Sequence, residues 1–214
     1  MGIPSFIFLD FDGTLVNSET LALNAEIKLI ESFGVSIDQA SFIKRYKDLS
    51  IDEFAIELSK LTGVTNDWKN LLEVAYDDAW QNELCAHEGV IDFVEEYFQR
   101  IVITTNTSFL QLKKKLEICR MPSGLAVRAI TGDHVTKRKP DPQTYELALG
   151  FVSRSPDEVL AVEDSTSGIR SAIGAGIAAF GFAGGIESSS ELLAAGAEAV
   201  IPDWFSAAKL IGMH

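Results

Sequence analysis

Ser5-Phe-Ile-Phe-Leu-Asp-Phe-Asp-Gly-Thr14 is the stretch that decides the fold. Ser5 to Leu9 is a short run of β-formers with no polar alternation, the pattern of a strand buried on both faces. Asp10-Phe-Asp-Gly-Thr14 ends it in a turn. Ile101–Thr104, Val159–Val162 and Ile177–Phe182 repeat the apolar pattern, and Ala126–Thr131 is a weaker example. Helical periodicity lies between them, over Val90–Phe98, Phe109–Ile118, Pro142–Leu149 and Gly168–Ala175. Ser155-Pro-Asp-Glu158 has the composition of a helix start, with Pro first and acids in the opening turn. Strands alternating with helices predict an α/β fold, a parallel sheet covered on both faces.

Glu19 to Glu83 breaks that alternation. Apolar residues recur there at helical spacing (Leu21, Leu23, Ile27, Ile30; Phe54, Ile56, Leu58, Leu61), and no strand pattern intervenes. The stretch is expected to be a helical insert after the first strand, hinged near Val16–Ser18 and Glu83–Gly89. The division is then 1–16 with 86–214 for the α/β core and 17–85 for the insert. Lys113-Lys-Lys115 is expected to be a solvated helix face.

The 214 residues carry 31 acidic and 18 basic side chains, a formal net charge of −13, with 47% hydrophobic residues. That is an ordinary globular composition, long enough to bury a core without staples. The acidity argues against nucleic-acid or anionic-membrane partners, whose phosphates call for clustered cations. Cys85 and Cys119 have no metal-type spacing and are expected to be buried thiols in a reducing, cytoplasmic setting. No targeting segment is read at the N-terminus, and the longest weakly polar stretch, Gly174–Ile186, is too short for a bilayer.

Four clusters can do chemistry, each near the sheet edge. Asp10 and Asp12 point the same way from one strand, roughly 6.5–7 Å apart, at the edge where parallel sheets bind ligands. Two carboxylates there repel unless a cation lies between them. Thr105-Asn106-Thr107 offers hydroxyl, amide and N–H groups for an anion. Lys139, in Lys137-Arg-Lys-Pro-Asp-Pro142, brings a cation on a proline-stiffened loop. Glu163 and Asp164 add hard oxygen ligands of the kind Mg²⁺ takes. Singly, these are an acidic turn, a helix cap, a basic loop and another acidic turn. Together, in this order, they are far more specific.

Phe8-Leu-Asp-Phe-Asp-Gly-Thr-Leu-Val-Asn-Ser-Glu19, Thr105-Asn106, Lys139-Pro-Asp-Pro142 and Glu163-Asp-Ser-x-x-Gly168 resemble the four motifs of the haloacid dehalogenase superfamily. The subgroup resembled is that of phosphoglycolate phosphatase and β-phosphoglucomutase. Ala172-x-x-Ala175-Gly176 and Gly196–Asp203 extend the likeness over nearly the whole chain. The resemblance implies a Rossmann-like core with an all-helical cap and an Mg²⁺-dependent phosphatase working through an aspartyl-phosphate. It gives Asp10 the role of nucleophile and Asp12 that of general acid, then base. Thr105, Asn106 and Lys139 would hold the phosphate. The metal would rest on Asp10, the backbone carbonyl of Asp12 and Asp164, with Glu163 bound directly or through water. As a proton donor, Asp12 is expected to have a raised pKa, or at least no cation holding it ionised.

Two departures favour hydrolysis over the sugar-phosphate mutase reaction. Ala22 stands where mutases have His, and Ile51 where they have Arg. A third, Asn17, replaces an Asp at the hinge. The presence of Asp12 disfavours dehalogenation. A mutase is the main alternative, and a phospho-accepting signalling domain or a non-catalytic scaffold is less favoured. The expected substrate is a small phosphorylated metabolite: a sugar phosphate, sugar-acid phosphate or phosphoglycolate. Lys44-Arg-Tyr-Lys47 concentrates cations, so Arg45 and Lys47 are candidates to meet a second anionic group. A monomer is expected, with a dimer as the alternative.

Overall fold

Phe6–Leu9 forms β1 because Ile7, Phe8 and Leu9 are apolar on both faces and all three are fully buried. In the computed structural model, which describes residues 3–46, 49 and 51–212, β1 lies inside a parallel sheet. Its neighbours are β2 (Ile101–Thr104), β3 (Ala129–Ile130), β4 (Val159–Glu163), β5 (Ala178–Phe182) and β6 (Ala199–Ile201), in the order β3-β2-β1-β4-β5-β6. Chain order reverses between β1 and β4, and the carboxyl ends of strands at such a switch point are where ligands bind. Leu9 pairs with Ile103 on one side and Val162 on the other. Asp10 N–H donates to Val162 O at 3.0 Å, so pairing runs up to the first acid.

The helices are α1 (Ser18–Ser32), α2 (Gln39–Tyr46), α3 (Ile51–Thr62), α4 (Trp68–Glu83), α5 (Val90–Tyr97), α6 (Phe109–Ile118), α7 (Gln143–Val152), α8 (Thr166–Gly174), α9 (Ser189–Ala194) and α10 (Trp204–Ile211). The chain divides into two compact units, residues 1–19 with 84–214 and residues 20–83. The first holds the sheet, with Phe8, Tyr145, Ala161 and Ile169 in its core. The second is helical and closes on aromatic rings: Phe42 lies 5.9 Å from Phe54, and Phe33 lies 4.8 Å from Trp68. At the crossing between Val16 and Ala86 the chain makes an isolated bridge. Asn17 fastens it, its N–H donating to Cys85 O and its Oδ1 accepting from Cys85 N at 3.0 Å.

Four local expectations are corrected. Ala126–Thr131 is mostly not strand: residues 123–128 form a 3₁₀ stretch and only Ala129–Ile130 pair with β2. Ser155-Pro-Asp-Glu158 caps a single 3₁₀ turn, because Val159 at once enters β4. Ala199–Ile201, not read as a strand, forms the edge strand β6. Cys119 is buried as expected, whereas Cys85 at the hinge is exposed; both are free thiols.

Candidate active site

Asp10, Glu163 and Asp164 converge because β1 and β4 are neighbours and each ends in an acid. One oxygen from each lies within 4.8 Å of the others. Lys139 reaches into the same space from the loop before α7, its side chain only 3% exposed. Its Nζ donates to Asp10 Oδ1 at 2.7 Å, Glu163 Oε1 at 2.5 Å and Thr104 O at 2.7 Å. Tyr145, one turn into α7 and fully buried, donates its hydroxyl to the same Glu163 oxygen at 2.5 Å. Thr14 Oγ1 donates to Asp164 Oδ1 at 3.1 Å. Gly13 makes the turn possible: its φ is +79°, and a Cβ there would collide with the Asp164 carboxylate.

Three buried carboxylates face one ammonium, a formal excess of two negative charges if all ionise. Burial, then the charges of Glu163 and Asp12, holds Asp10 well above the usual carboxylate range in spite of Lys139. Burial, followed by Glu19, Asp10 and Glu163, does the same to Asp164. Burial alone would depress Lys139, but Asp10 and Glu163 hold it well above its ordinary value. Asp164 Oδ2 and Glu163 Oε2 are buried without a hydrogen-bond partner. Such a donor set, hard oxygens in excess and partly unsatisfied, fits a divalent cation of the Mg²⁺ kind.

Asp12 lies in different surroundings. Its Oδ1 accepts from Ser18 Oγ at 2.6 Å and from Lys115 Nζ, and its Oδ2 accepts from Thr107 Oγ1 at 2.6 Å. Although burial opposes it, the Lys115 ammonium, helped by the two hydroxyls, holds Asp12 below its ordinary value. The expectation of a proton donor without a cationic partner is therefore overturned. So is that of a solvated Lys113–Lys115 face: Lys113 is exposed, but Lys115 is buried. Its position shared the apolar stripe Leu112, Leu116 and Cys119 at i, i+4 and i+7, a signal hidden by the run of three lysines.

Thr105 and Asn106 also lie at this sheet edge. Thr105 is buried, its Oγ1 accepting from Thr107 N at 3.1 Å. Asn106 Oδ1 accepts from Lys139 N at 3.0 Å, so the amide ties the two loops together. Glu19 joins the acid group, pushed up to about 7 by burial and then by Asp12, Glu187 and Glu163. Ser18, Lys115, Tyr145 and Glu19 are site residues to which the motifs assigned no role. Arg45 lies in the helical unit, 66% exposed and 3.3 Å from Glu57. Lys47 lies outside the described residues.

An acid pair, a hydroxyl–amide loop and a lysine thus gather at the switch point of a parallel sheet, the arrangement of an α/β protein that binds an anion and a cation there. Residues 7–182 match the family described as haloacid dehalogenase-like hydrolase, and the chain belongs to that family. It is 25% identical over 179 residues to 6-phosphogluconate phosphatase of Escherichia coli, covering 82% of this chain and 81% of the relative. Over 202 residues it is 25% identical to a phosphorylated carbohydrates phosphatase of Thermotoga maritima, covering 91% and 93%. Among solved structures, a haloacid dehalogenase-like protein of Agrobacterium tumefaciens superposes with a TM-score of 0.85. The sequences are 24% identical, and 97% of each chain is covered. A HAD family hydrolase of Deinococcus radiodurans, solved with bound phosphate and sodium, gives 0.85 at 20% identity over 99% and 98%.

Proposed function

We propose that the protein is a phosphatase hydrolysing a small phosphorylated sugar or sugar acid through an aspartyl-phosphate on Asp10. The family, and relatives that are named as phosphatases of phosphorylated carbohydrates, support the substrate class. Its two free thiols suit the cytoplasm.

The observation that carries the reading is the contrast between two carboxylates two residues apart: Asp10 beside Lys139 among acids, Asp12 among three donors. Asp10 attacks phosphorus as a carboxylate, and the ester P–O bond breaks as the new P–O bond forms. Lys139 offsets the charge of nucleophile and phosphate, and Thr105 with Asn106 steadies the phosphate oxygens. The departing oxygen takes a proton from Asp12. A phosphate dianion bound beside Asp12 raises its proton affinity, opposing the pull of Lys115. Water then attacks phosphorus while Asp12, ionised again, accepts its proton; the bond between phosphorus and the Asp10 oxygen breaks, releasing inorganic phosphate and the free carboxylate.

Asp10, Glu163, Asp164 and the Asp12 carbonyl would hold Mg²⁺, which when bound neutralises nucleophile and phosphate charge. The helical unit, residues 20–83, is assigned the reading of the leaving group. The test is a screen of purified protein for free phosphate from sugar phosphates, sugar-acid phosphates and phosphoglycolate, with Mg²⁺ or EDTA. Release that needs Mg²⁺ and disappears in Asp10→Asn is expected. Activity indifferent to EDTA, or isomerised sugar phosphate in place of free phosphate, would overturn the assignment.

A further inference from the structure

We infer that Lys115 is the positioning residue of the general acid–base, holding the Asp12 carboxyl where it meets the leaving oxygen; this rests on the role proposed for Asp12. Lys115 projects from α6 on the face that also buries Leu112, Leu116 and Cys119. Its side chain is 4% exposed, and its ammonium meets Asp12 Oδ1. An ammonium is expensive to bury, and such burial persists where the charge is paired.

An aspartate side chain has two torsions, and three donors on two oxygens fix both. The donors come from three separate places: Ser18 at the start of α1, Thr107 in the loop after β2, and Lys115 in α6. Lys115 is the charged one and stands within a regular helix, one turn before its end. Without it, two rotatable hydroxyls remain to orient the carboxyl. Lys115 thus stands to Asp12 as Lys139 does to Asp10, but it acts through the carboxyl and touches no reacting atom. Proton transfer needs hydrogen-bond reach to the leaving oxygen, and a misplacement of about 1 Å is enough to cost on the order of 10²-fold.

The test compares two leaving groups. p-Nitrophenolate departs without a proton, whereas the alkoxide of 6-phosphogluconate or glycerol phosphate needs one, so kcat/KM separates placement of the acid from general damage. Lys115→Gln and Lys115→Met are expected to lower kcat/KM on the alkyl phosphate by on the order of 10²-fold. On p-nitrophenyl phosphate the loss should stay within about five-fold, because no acid is called on there. Lys115→Arg should recover part of the alkyl activity, and it carries the comparison if the neutral variants fail to fold. Asp12→Asn should show the same discrimination more strongly.

Equal losses on both substrates, or none on either, would reduce Lys115 to a structural ion pair and overturn the inference. If Asp12→Asn itself failed to discriminate, the role of Asp12 would fall, and the inference with it. If Asp12→Asn discriminates and the Lys115 variants do not, the inference alone falls.

Discussion

Two lysines divide the sheet-bearing unit into regions that treat their carboxylates in opposite ways. Around Lys139, Asp10 and Glu163 share one ammonium, Glu163 also takes a tyrosine hydroxyl and Asp164 only that of Thr14, and Asp10 and Asp164 are driven up. Beside Lys115, Asp12 takes an ammonium and two hydroxyls and is drawn down. The first region is short of positive charge, which a metal and a phosphate-binding loop can use. The second is saturated, which fixes a side chain in place. Asp10 and Asp12 are neighbours in sequence, so their difference comes from what long-range folding brings to each.

The largest effect that could break the contrast is at Asp10. Asp10→Asn keeps the shape and removes the proposed nucleophile, and phosphate release should fall on the order of 10⁴-fold or more. Activity near wild type in a phosphate-release assay would end the comparison. Lys139→Met should cost on the order of 10²–10³-fold in kcat, as loss of one preorganised donor does. It also leaves the acids unpaired, so thermal melting in the absence of metal should drop as well.

Metal addition sharpens the charge argument. At about a 100-fold excess over Kd, Mg²⁺ should stabilise the fold by about 2.7 kcal/mol, which for a chain of this size raises Tm by about 5–10 °C. Asp164→Asn should lose that rise. A calorimetric scan showing the same Mg²⁺ shift in the variant would place the metal elsewhere.

Glu26 in the helical unit gives a third case, a half-buried carboxyl that takes a hydroxyl where Asp10 and Asp12 take an ammonium. Tyr76 donates to it at 2.5 Å, and burial pushes it up to about 7 from 4.5. A carboxyl raised on folding stabilises below its unfolded value and loses that contribution as pH rises through the folded one. From pH 4.5 to 8 the wild type should therefore lose up to about 3 kcal/mol relative to Glu26→Gln. Parallel stability curves for the two would contradict it. The smallest effect is expected at Arg45, whose exposed pair with Glu57 is worth only about 0–1 kcal/mol. Arg45→Ala should raise KM for a doubly anionic substrate by no more than a few-fold.

The strand ends were legible because buried parallel strands are short apolar runs and each carried its acid or hydroxyl at the boundary. Asp10, Thr105, Glu163 and Asp164 could be placed from that pattern alone. β6 was harder: Ala199–Ile201 is three residues at the sheet edge, too few to show a period. Tyr145 and Lys115 were hidden for another reason. Both lie inside helices, where a polar residue on the apolar face reads as an ordinary member of the helix until its partner is known. Asp12 lies over 100 residues from Lys115, and a pairing at that separation leaves no local trace. The cation that reverses the expectation for Asp12 was therefore invisible in the turn that carries it.

Acid-quenched mass spectrometry of the wild type turning over p-nitrophenyl phosphate with Mg²⁺ reads the proposed aspartyl-phosphate itself. A phosphoryl group on the peptide containing Asp10, lost on standing at neutral pH and missing in Asp10→Asn, is the predicted result. Steady phosphate release with that peptide unmodified at every quench time, and undiminished in Asp10→Asn, would contradict it.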